Sequence, residues 1–546
     1  MTTSAYRVDV HLNLGMIYLV KENLTQALDF FTQAHELAIE IERRDILPGI
    51  HYRLGELMRN QGDLPAAQRH IETSIQLVED LRNPLHDEGM KIGLLGRWQQ
   101  LYESMLLLYL EQDDLHAALH IAERSRSRAF LDMVASSPSL TDNKSSDEGL
   151  DEPLTAREIQ ERLPADAALI EFFATGQPGT SEGIVANLPS ESQRLRKYLL
   201  SPEHLFAFIV TRESVQVLEL DISIEQIQSQ LFHHGDGRLR GITPLPGKRL
   251  RVMRRWQDVG AKLLQPLRSF VTGRRHLFFV PHSLLHYLPF HALIDLSTMT
   301  GIRDTTFSYA PSASLLLRST YPNNKSAQRP RLLSLGGLDH AEAEANWIAQ
   351  CFGGEILLGD EATMVRVCDA LPFYDVVHFS CHGHFRQRTP LESALELSDG
   401  ELTAANLLES VQLNADLVTL SACDTGLNVL HPGDELMGLT RAILGCGARS
   451  LLATLWPVHE IPTRLFIEHF YEMWMAGATK ARAVQETQRF VANIDINQLH
   501  ARFEQYGMAP EVVLDRLRLF QAMLPDQKPF DHPYYWGGFI LIGAPD

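Results

Sequence analysis

Three features predict two regions of different class, an all-α repeat array followed by an α/β domain with a mostly parallel sheet. Small and large side chains recur at helical offsets in the first 135 residues, and a stretch rich in Ser, Asp, Gly and Pro follows at 136–153. Beyond residue 274, short β-branched or aromatic runs alternate with helical patterns. A chain of 546 residues exceeds what one core usually holds, and 45% hydrophobic residues supply apolar surface for more than one.

In the N-terminal third, Leu14, Gly15, Tyr18, Ala27, Phe31 and Ala34 are matched 40 residues later by Leu54, Gly55, Met58, Ala67, Ile71 and Ser74. A third copy aligns Tyr109, Ala118, Ala122 and Ser125, with Leu106 where the glycine stands in the other two. The pattern resembles the tetratricopeptide repeat, in which small residues let two helices approach and large ones fill the gap between neighbours. We place this array at 8–135. Its surface either docks a protein partner or packs against the domain that follows.

The polar stretch at 136–153 reads as a flexible linker. After it, Ala167–Phe172 and His204–Val210 read as strands, and 181–199 as a polar loop insertion. Residues 154–270 carry no evident chemistry and are expected to be a flanking half of the same α/β unit, with the catalytic half at 271–546. Strands are expected at His276–Val280, Leu332–Leu335, Val376–Ser380, Leu417–Leu420, Ser450–Leu455 and Phe539–Ile542. Crossover helices are expected at His340–Cys351 and Asp434–Leu444.

Two of these strands run out into reactive side chains. Val376–Ser380 leads to Cys381-His382-Gly383, and Leu417–Leu420 to Ser421-Ala422-Cys423-Asp424-Thr425-Gly426. Ligands of open α/β sheets bind at strand carboxyl ends, so His382 and Cys423 are expected to face one crevice. A thiolate there can attack a carbonyl while an imidazole protonates the leaving group.

His382-Gly383 and Ser421-Ala422-Cys423-Asp424-Thr425-Gly426 resemble the signatures of the caspase, separase and gingipain clan. More closely, the C-terminal half resembles the CHAT family, caspase-like domains found beside tetratricopeptide repeats. The resembling segments are VPHSLLHYLPFHALID, SYAPSASLLLR, VVHFSCHGHF, LVTLSACDTGLN, GDELMGLTRAILGCGARSLLATLWPV and HPYYWGGFILIGAP. The resemblance implies a caspase-like fold and a cysteine endopeptidase. In it Cys423 is the nucleophile, His382 the general acid/base, and the backbone N–H groups of Gly383 and Cys423 the oxyanion donors. It also implies a protein substrate, a partner controlling activity through the repeats, and no cofactor. Glu460 and Asp434 are candidates for holding a Lys or Arg before the scissile bond; each could equally be a helix N-cap or a solvated loop charge.

The alternative is a non-proteolytic scaffold that uses the repeats and the crevice only to bind. A formal charge of -19 disfavours a primary nucleic-acid surface, and no GxxxxGK[ST] motif for nucleotide phosphates is present. Gly445-Cys446-Gly447 follows a helix rather than a strand, which argues against a dinucleotide site. His378, Cys381, His382 and His384 lie close in sequence, but in a strand His378 and His382 share one face while Cys381 points away, so a metal site is disfavoured. The odd count of five cysteines without CxxC spacing reads as thiols, with Cys368, Cys381 and Cys446 as small buried hydrophobes. With no basic-then-apolar leader in MTTSAYRVDVHL, the expected location is the cytoplasm.

Overall fold

The computed structural model describes residues 2–85, 88–135, 152–176, 201–232, 249–296, 304–319, 331–336, 339–386, 388–421, 429–431, 434–505 and 528–546. Its N-terminal third comprises α1 (Thr2–Val20), α2 (Leu24–Glu40), α3 (Leu47–Asn60), α4 (Leu64–Arg82), α5 (Glu88–Glu111), α6 (Leu115–Arg124) and α7 (Arg128–Ala135). The first six form three hairpins joined by one recurring device. Glu22, Gly62 and Asp113 take positive φ values of 59°, 82° and 59°. Each is followed by an Asx residue, Asn23, Asp63 or Asp114, whose side chain accepts from a backbone N–H three residues on and so caps the next helix.

Within the hairpins the repeated glycines mark close approaches. A Cβ on Gly55 would lie 2.6 Å from Ile71 Cγ1, and one on Gly15 would lie 2.5 Å from the Phe31 ring. Leu106, at the glycine position of the third copy, is instead buried in the core that α5 shares with the sheet. All three helix pairs of the expected array are therefore present.

The α/β part opens with β1 (Ala167–Ala174), β2 (Leu205–Val210), β3 (Val215–Glu219), β4 (His276–Val280), β5 (Thr306–Tyr309), β6 (Leu332–Gly336), β7 (Glu355–Leu358) and β8 (Val376–Ser380). Three short strands follow, β9 (Gly383–His384), β10 (Ala394–Leu397) and β11 (Gly400–Thr403), then β12 (Leu417–Leu420). The last are β13 (Val429–His431), β14 (Glu435–Met437), β15 (Ser450–Thr454) and β16 (Phe539–Gly543). Eleven of them form one sheet in the order β3-β2-β1-β4-β5-β16-β15-β12-β8-β6-β7. Pairing is antiparallel at β1–β2, β2–β3 and β15–β16 and parallel elsewhere. The fold class is as expected, and β1–β3 extend the same sheet as the strands after residue 274.

Strand alternation sorts the core. Val377, Phe379 and Cys381 point into one apolar cluster with Val418, Leu420 and Leu451. Val376 points the other way with Leu417, under the helices Asp339–Phe352 and Glu460–Met475. The expected crossover helix at Asp434–Leu444 is shorter than its pattern. Asp434 has φ 53° and Gly438 φ 146°, both outside helical geometry, so residues 435–437 pair with β13 and the helix begins at Leu439. The expected linker, apart from residues 152 and 153, and the polar stretch at 181–199 lie outside the described residues.

One face of the array packs on the sheet. Ile71, Ile75, Leu101, Met105, Leu106 and Ala122 share a cluster with Leu169, Phe173, Phe208, Phe278 and Val280 of β1, β2 and β4. Of the two uses left open for the array, covering its own following domain is therefore realised for this face. Polar bonds fix the seat. Glu103 accepts from Gly176 N–H at 3.0 Å, and Glu123 accepts from Ala313 N–H, Ser314 N–H and Ser314 O–H at 3.0, 2.7 and 2.5 Å.

Burial pushes the Glu103 carboxyl up to about 7, despite the hydrogen bond it accepts from Gly176 N–H. Its proton is held more tightly in the folded than in the unfolded chain. The stability linked to it is therefore fully present below the ordinary carboxylate range and lost as pH rises through about 7. Glu103→Gln removes that loss. Urea denaturation should show the variant gaining roughly 3 kcal/mol on wild type between acidic and mildly alkaline pH; a pH-independent difference would refute the assignment.

Candidate active site

β8 and β12 are parallel neighbours in the register Val376↔Leu417, Val377↔Val418, His378↔Thr419 and Phe379↔Leu420. Ser421 N–H donates to Phe379 O at 2.8 Å, so pairing persists to the strand ends. Both strands therefore open at the same rim of the sheet. His382, three residues past Phe379, is exposed at that rim. Cys423, three residues past Leu420, lies outside the described residues.

At His382 the chain turns from the large sheet into the small one formed by β9, β10 and β11. Glu396 N–H donates to His382 O at 2.9 Å, and Gly383 stands opposite Leu395. His382 and Glu396 thus form the hydrogen-bonded pair of this antiparallel ladder. Gly383 belongs to the alternate, non-hydrogen-bonded pair, and its N–H turns away from β10 toward the open edge of β9.

Beneath the rim lies a buried polar network. Glu344, on the helix Asp339–Phe352, accepts from His378 Nε2 at 3.0 Å and from Ser380 Oγ at 2.7 Å. His378 Nδ1 lies 3.2 Å from Tyr471 OH, which is 2.9 Å from Thr419 Oγ1 on β12. Burial raises the Glu344 carboxyl, but His378, by hydrogen bond and by charge, and the Ser380 hydroxyl outweigh it and leave the group below its ordinary value. Sequence reasoning missed Glu344 and Tyr471. The signal was present in the expected helix, where Glu344 shares a face with the core residue Ile348 at i+4.

The four described thiols are poor nucleophiles. Burial, reinforced by the Glu396 charge, pushes Cys381 up to about 12, and burial alone does the same to Cys446, whose Sγ meets Leu407 O at 3.1 Å. Burial also raises Cys351 and Cys368. Cys381 and Cys446 are the small buried hydrophobes expected, and Cys368 is half-buried at the edge of the same cluster. His384 Nε2 reaches the Glu396 carboxylate at 3.2 Å, so His378, His382 and His384 face three different surroundings.

The two acidic candidates part company. β15 is parallel to β12, and the loop after it reaches the same rim; there Glu460 is exposed, the first residue of the helix Glu460–Met475. Asp434 is buried. It accepts from Ser283 N–H at 2.8 Å and pairs with His286 Nε2 at 3.1 Å and with Arg126 at 3.8 Å. Its carboxylate is therefore engaged inside the fold, a placement the loop-charge expectation did not foresee.

Residues 256–544 match the sequence profile described as the CHAT domain. The chain belongs to the CHAT family. Tetratricopeptide repeat protein 28 of Homo sapiens is 23% identical over 643 residues, covering 92% of this chain and 24% of that protein, and its Mus musculus counterpart is 23% identical over 646 residues, covering 92% and 25%. The chain thus spans about a quarter of the length of these curated relatives. Among solved structures, the Saccharomyces cerevisiae separase–securin complex aligns with TM-score 0.49 at 10% identity, covering 97% of this chain and 40% of that one. Porphyromonas gingivalis RgpB pro- and mature domains align with TM-score 0.35 at 12% identity, covering 54% and 69%.

The CHAT segments have structural work to do in this chain. Trp456 donates from Nε1 to Tyr534 O at 2.9 Å, and Leu455 N–H donates to Gly538 O at 2.9 Å, which binds the LLATLWPV loop to HPYYWGG. A Cβ on Gly538 would lie 2.9 Å from the Trp456 ring. The array reaches the CHAT domain through Arg126, at the junction of α6 and α7. This fully buried guanidinium donates to Phe172 O at 2.7 Å and Pro281 O at 3.1 Å and lies 3.4 Å from Glu171 and 3.8 Å from Asp434. Burial raises Asp434, and His282, His286 and Arg126 more than reverse that, holding it well below the usual carboxylate range. Burial raises Glu171 well above its ordinary value despite Arg126.

Removing the guanidinium takes the donor from the buried Phe172 and Pro281 carbonyls and strips one of the groups facing Asp434, which keeps His286 and the Ser283 N–H as direct partners. Arg126→Met should therefore lose about 3–5 kcal/mol of stability in denaturant titrations; a loss under about 1 kcal/mol would show that the cluster holds no net buried charge.

Proposed function

We propose that this CHAT protein is a regulated cysteine endopeptidase of the caspase–separase clan, acting on protein substrates through Cys423 and His382. The observation that carries the reading is the β8–β12 register. His382 and Cys423 each follow a paired residue by three positions on adjacent parallel strands, and His382 is exposed at their common rim. CHAT membership supports the same reading. We further propose the division into an array at 8–135, a linker at 136–153 and a caspase-like unit at 154–546.

The chemistry assigns one role to each group. Cys423 thiolate adds to the scissile carbonyl carbon, and the oxyanion accepts from the N–H groups of Gly383 and Cys423. His382 passes its proton to the departing amine as the C–N bond breaks, leaving a thioester on Cys423. Neutral His382 then takes a proton from water, whose oxygen attacks the thioester and restores the thiolate. Glu460, at the rim, is the remaining acidic candidate for a Lys or Arg pocket, because Asp434 is engaged with His286, Ser283 and Arg126. Control by a partner on the array has a physical route, since Arg126 ties the α6–α7 junction to Asp434, just beyond the segment that contains Cys423.

The test is a mixed-sequence peptide library read by mass spectrometry. Wild type should cleave it, Cys423→Ala should not, and His382→Ala should lose about 10²–10⁴-fold in rate. Clustering of cleavage after Lys or Arg that disappears in Glu460→Ala would support the pocket, and cleavage after other residues would remove it. A folded wild-type protein in which a cysteine-reactive peptide probe fails to label Cys423 would overturn the peptidase reading in favour of a scaffold.

A further inference from the structure

We propose that the outer face of α1 is a helix-pairing seam, covered by the α1 of a second copy of this chain lying antiparallel across a twofold axis. Three of the eight exposed large apolar side chains among the described residues lie on this one helix, Tyr6, Val10 and Ile17, at 72%, 51% and 49% exposure. On its other side α1 buries Val8 and Leu19 in a cluster with α2 and α3. A helix apolar on both sides is one that is packed on both sides. The 40-residue repeat period says what packs there. Tyr6, Val10 and Ile17 correspond to Ile46, Ile50 and Leu57. Ile50 and Leu57 are fully buried, and Ile46 packs against the same cluster, where α3 meets α2 of the hairpin before it. The repeat therefore uses this face to receive a helix.

The spacing favours a second copy. Tyr6, Val10, Asn13, Ile17 and Val20 follow one another at intervals of 4, 3, 4 and 3 residues, the a/d seam of a coiled coil, with Asn13 exposed and Val20 half-buried. A helix built to end the array would carry polar residues at these positions. Turned about a twofold axis between residues 11 and 12, the seam meets itself: Tyr6 faces Ile17 of the second copy, and Val10 faces its Asn13. An isologous contact requires this self-complementarity. The α2 of a second copy cannot serve instead, because it is already packed between α1 and α3. Asn13 fixes the alignment, as a single polar seam residue does in coiled coils, at a cost in stability. The cluster beneath α1 contains no residue of the sheet, so the pairing lies apart from the proposed active site.

The test is sedimentation velocity of the full chain over a concentration series. Wild type should form a reversible dimer, and added salt should tighten it, because each copy carries a formal charge of -19. Val10→Glu and Ile17→Glu, with circular dichroism unchanged because both side chains are exposed, should each weaken dimerisation about tenfold or more. Asn13→Leu should tighten it about tenfold, a gain that no loss of folding can imitate. Orientation is read by oxidation. A mixture of Tyr6→Cys and Ile17→Cys chains should give a covalent dimer that neither variant forms alone, since like positions lie about 16 Å apart along the seam. A wild-type chain that stays monomeric at about 100 μM overturns the proposal. So does a dimer that persists unchanged in both glutamate variants, or one that Tyr6→Cys cross-links by itself.

Discussion

Parallel pairing of β8 with β12 is the constraint on which the candidate site depends. Parallel neighbours open at the same edge, so whatever follows Ser380 and Leu420 emerges side by side, whereas antiparallel neighbours would have sent the two segments to opposite ends of the sheet. The crossover between them includes the small β9-β10-β11 sheet, which takes over the chain at His382 and sets the direction of the Gly383 N–H. β15 lies on the far side of β12 and brings the Glu460 loop to the same edge, where Trp456 and the C-terminal HPYYWGG segment hold it.

Buried charge distinguishes the two polar regions of the interior. Around Arg126 the array and the CHAT domain share a cation and carboxylates with almost no access to water, so the two parts cannot separate without exposing or unpairing those groups. Around Glu344 the charge is compensated by hydrogen bonds from His378 and Ser380 of β8, and His378 continues through Tyr471 to Thr419 of β12. The first region joins the two parts of the chain, and the second joins two strands within one part. Both lie close in sequence to the residues given catalytic roles, Asp434 after Cys423 and Ser380 before His382.

Much of this was legible in the sequence, for a local reason. The strands Val376–Ser380 and Leu417–Leu420 are short β-branched or aromatic runs, and the structure has them with the expected bounds. The repeat offsets hold because Gly15 and Gly55 stand where a Cβ would collide with Phe31 and Ile71. The helix expected from Asp434 failed at its start because two positive-φ residues were hidden in an otherwise helical pattern. Glu344 and Arg126 were missed because a charged residue on a helix reads as solvated unless its neighbours in space are known.

The sequence by itself determined the class of each region, the repeat period, the identity of the parallel strands and the His-Gly and Ala-Cys segments that follow them. All of these are written in residues adjacent along the chain or separated by one structural period. Only the tertiary structure decided which strands are neighbours, that one face of the array is spent on the sheet, that Asp434 is buried and engaged, and that Glu344 is buried against His378 and Ser380. Those outcomes depend on groups far apart in sequence being brought into a medium where an uncompensated charge is expensive, and no local pattern of residue types carries that information.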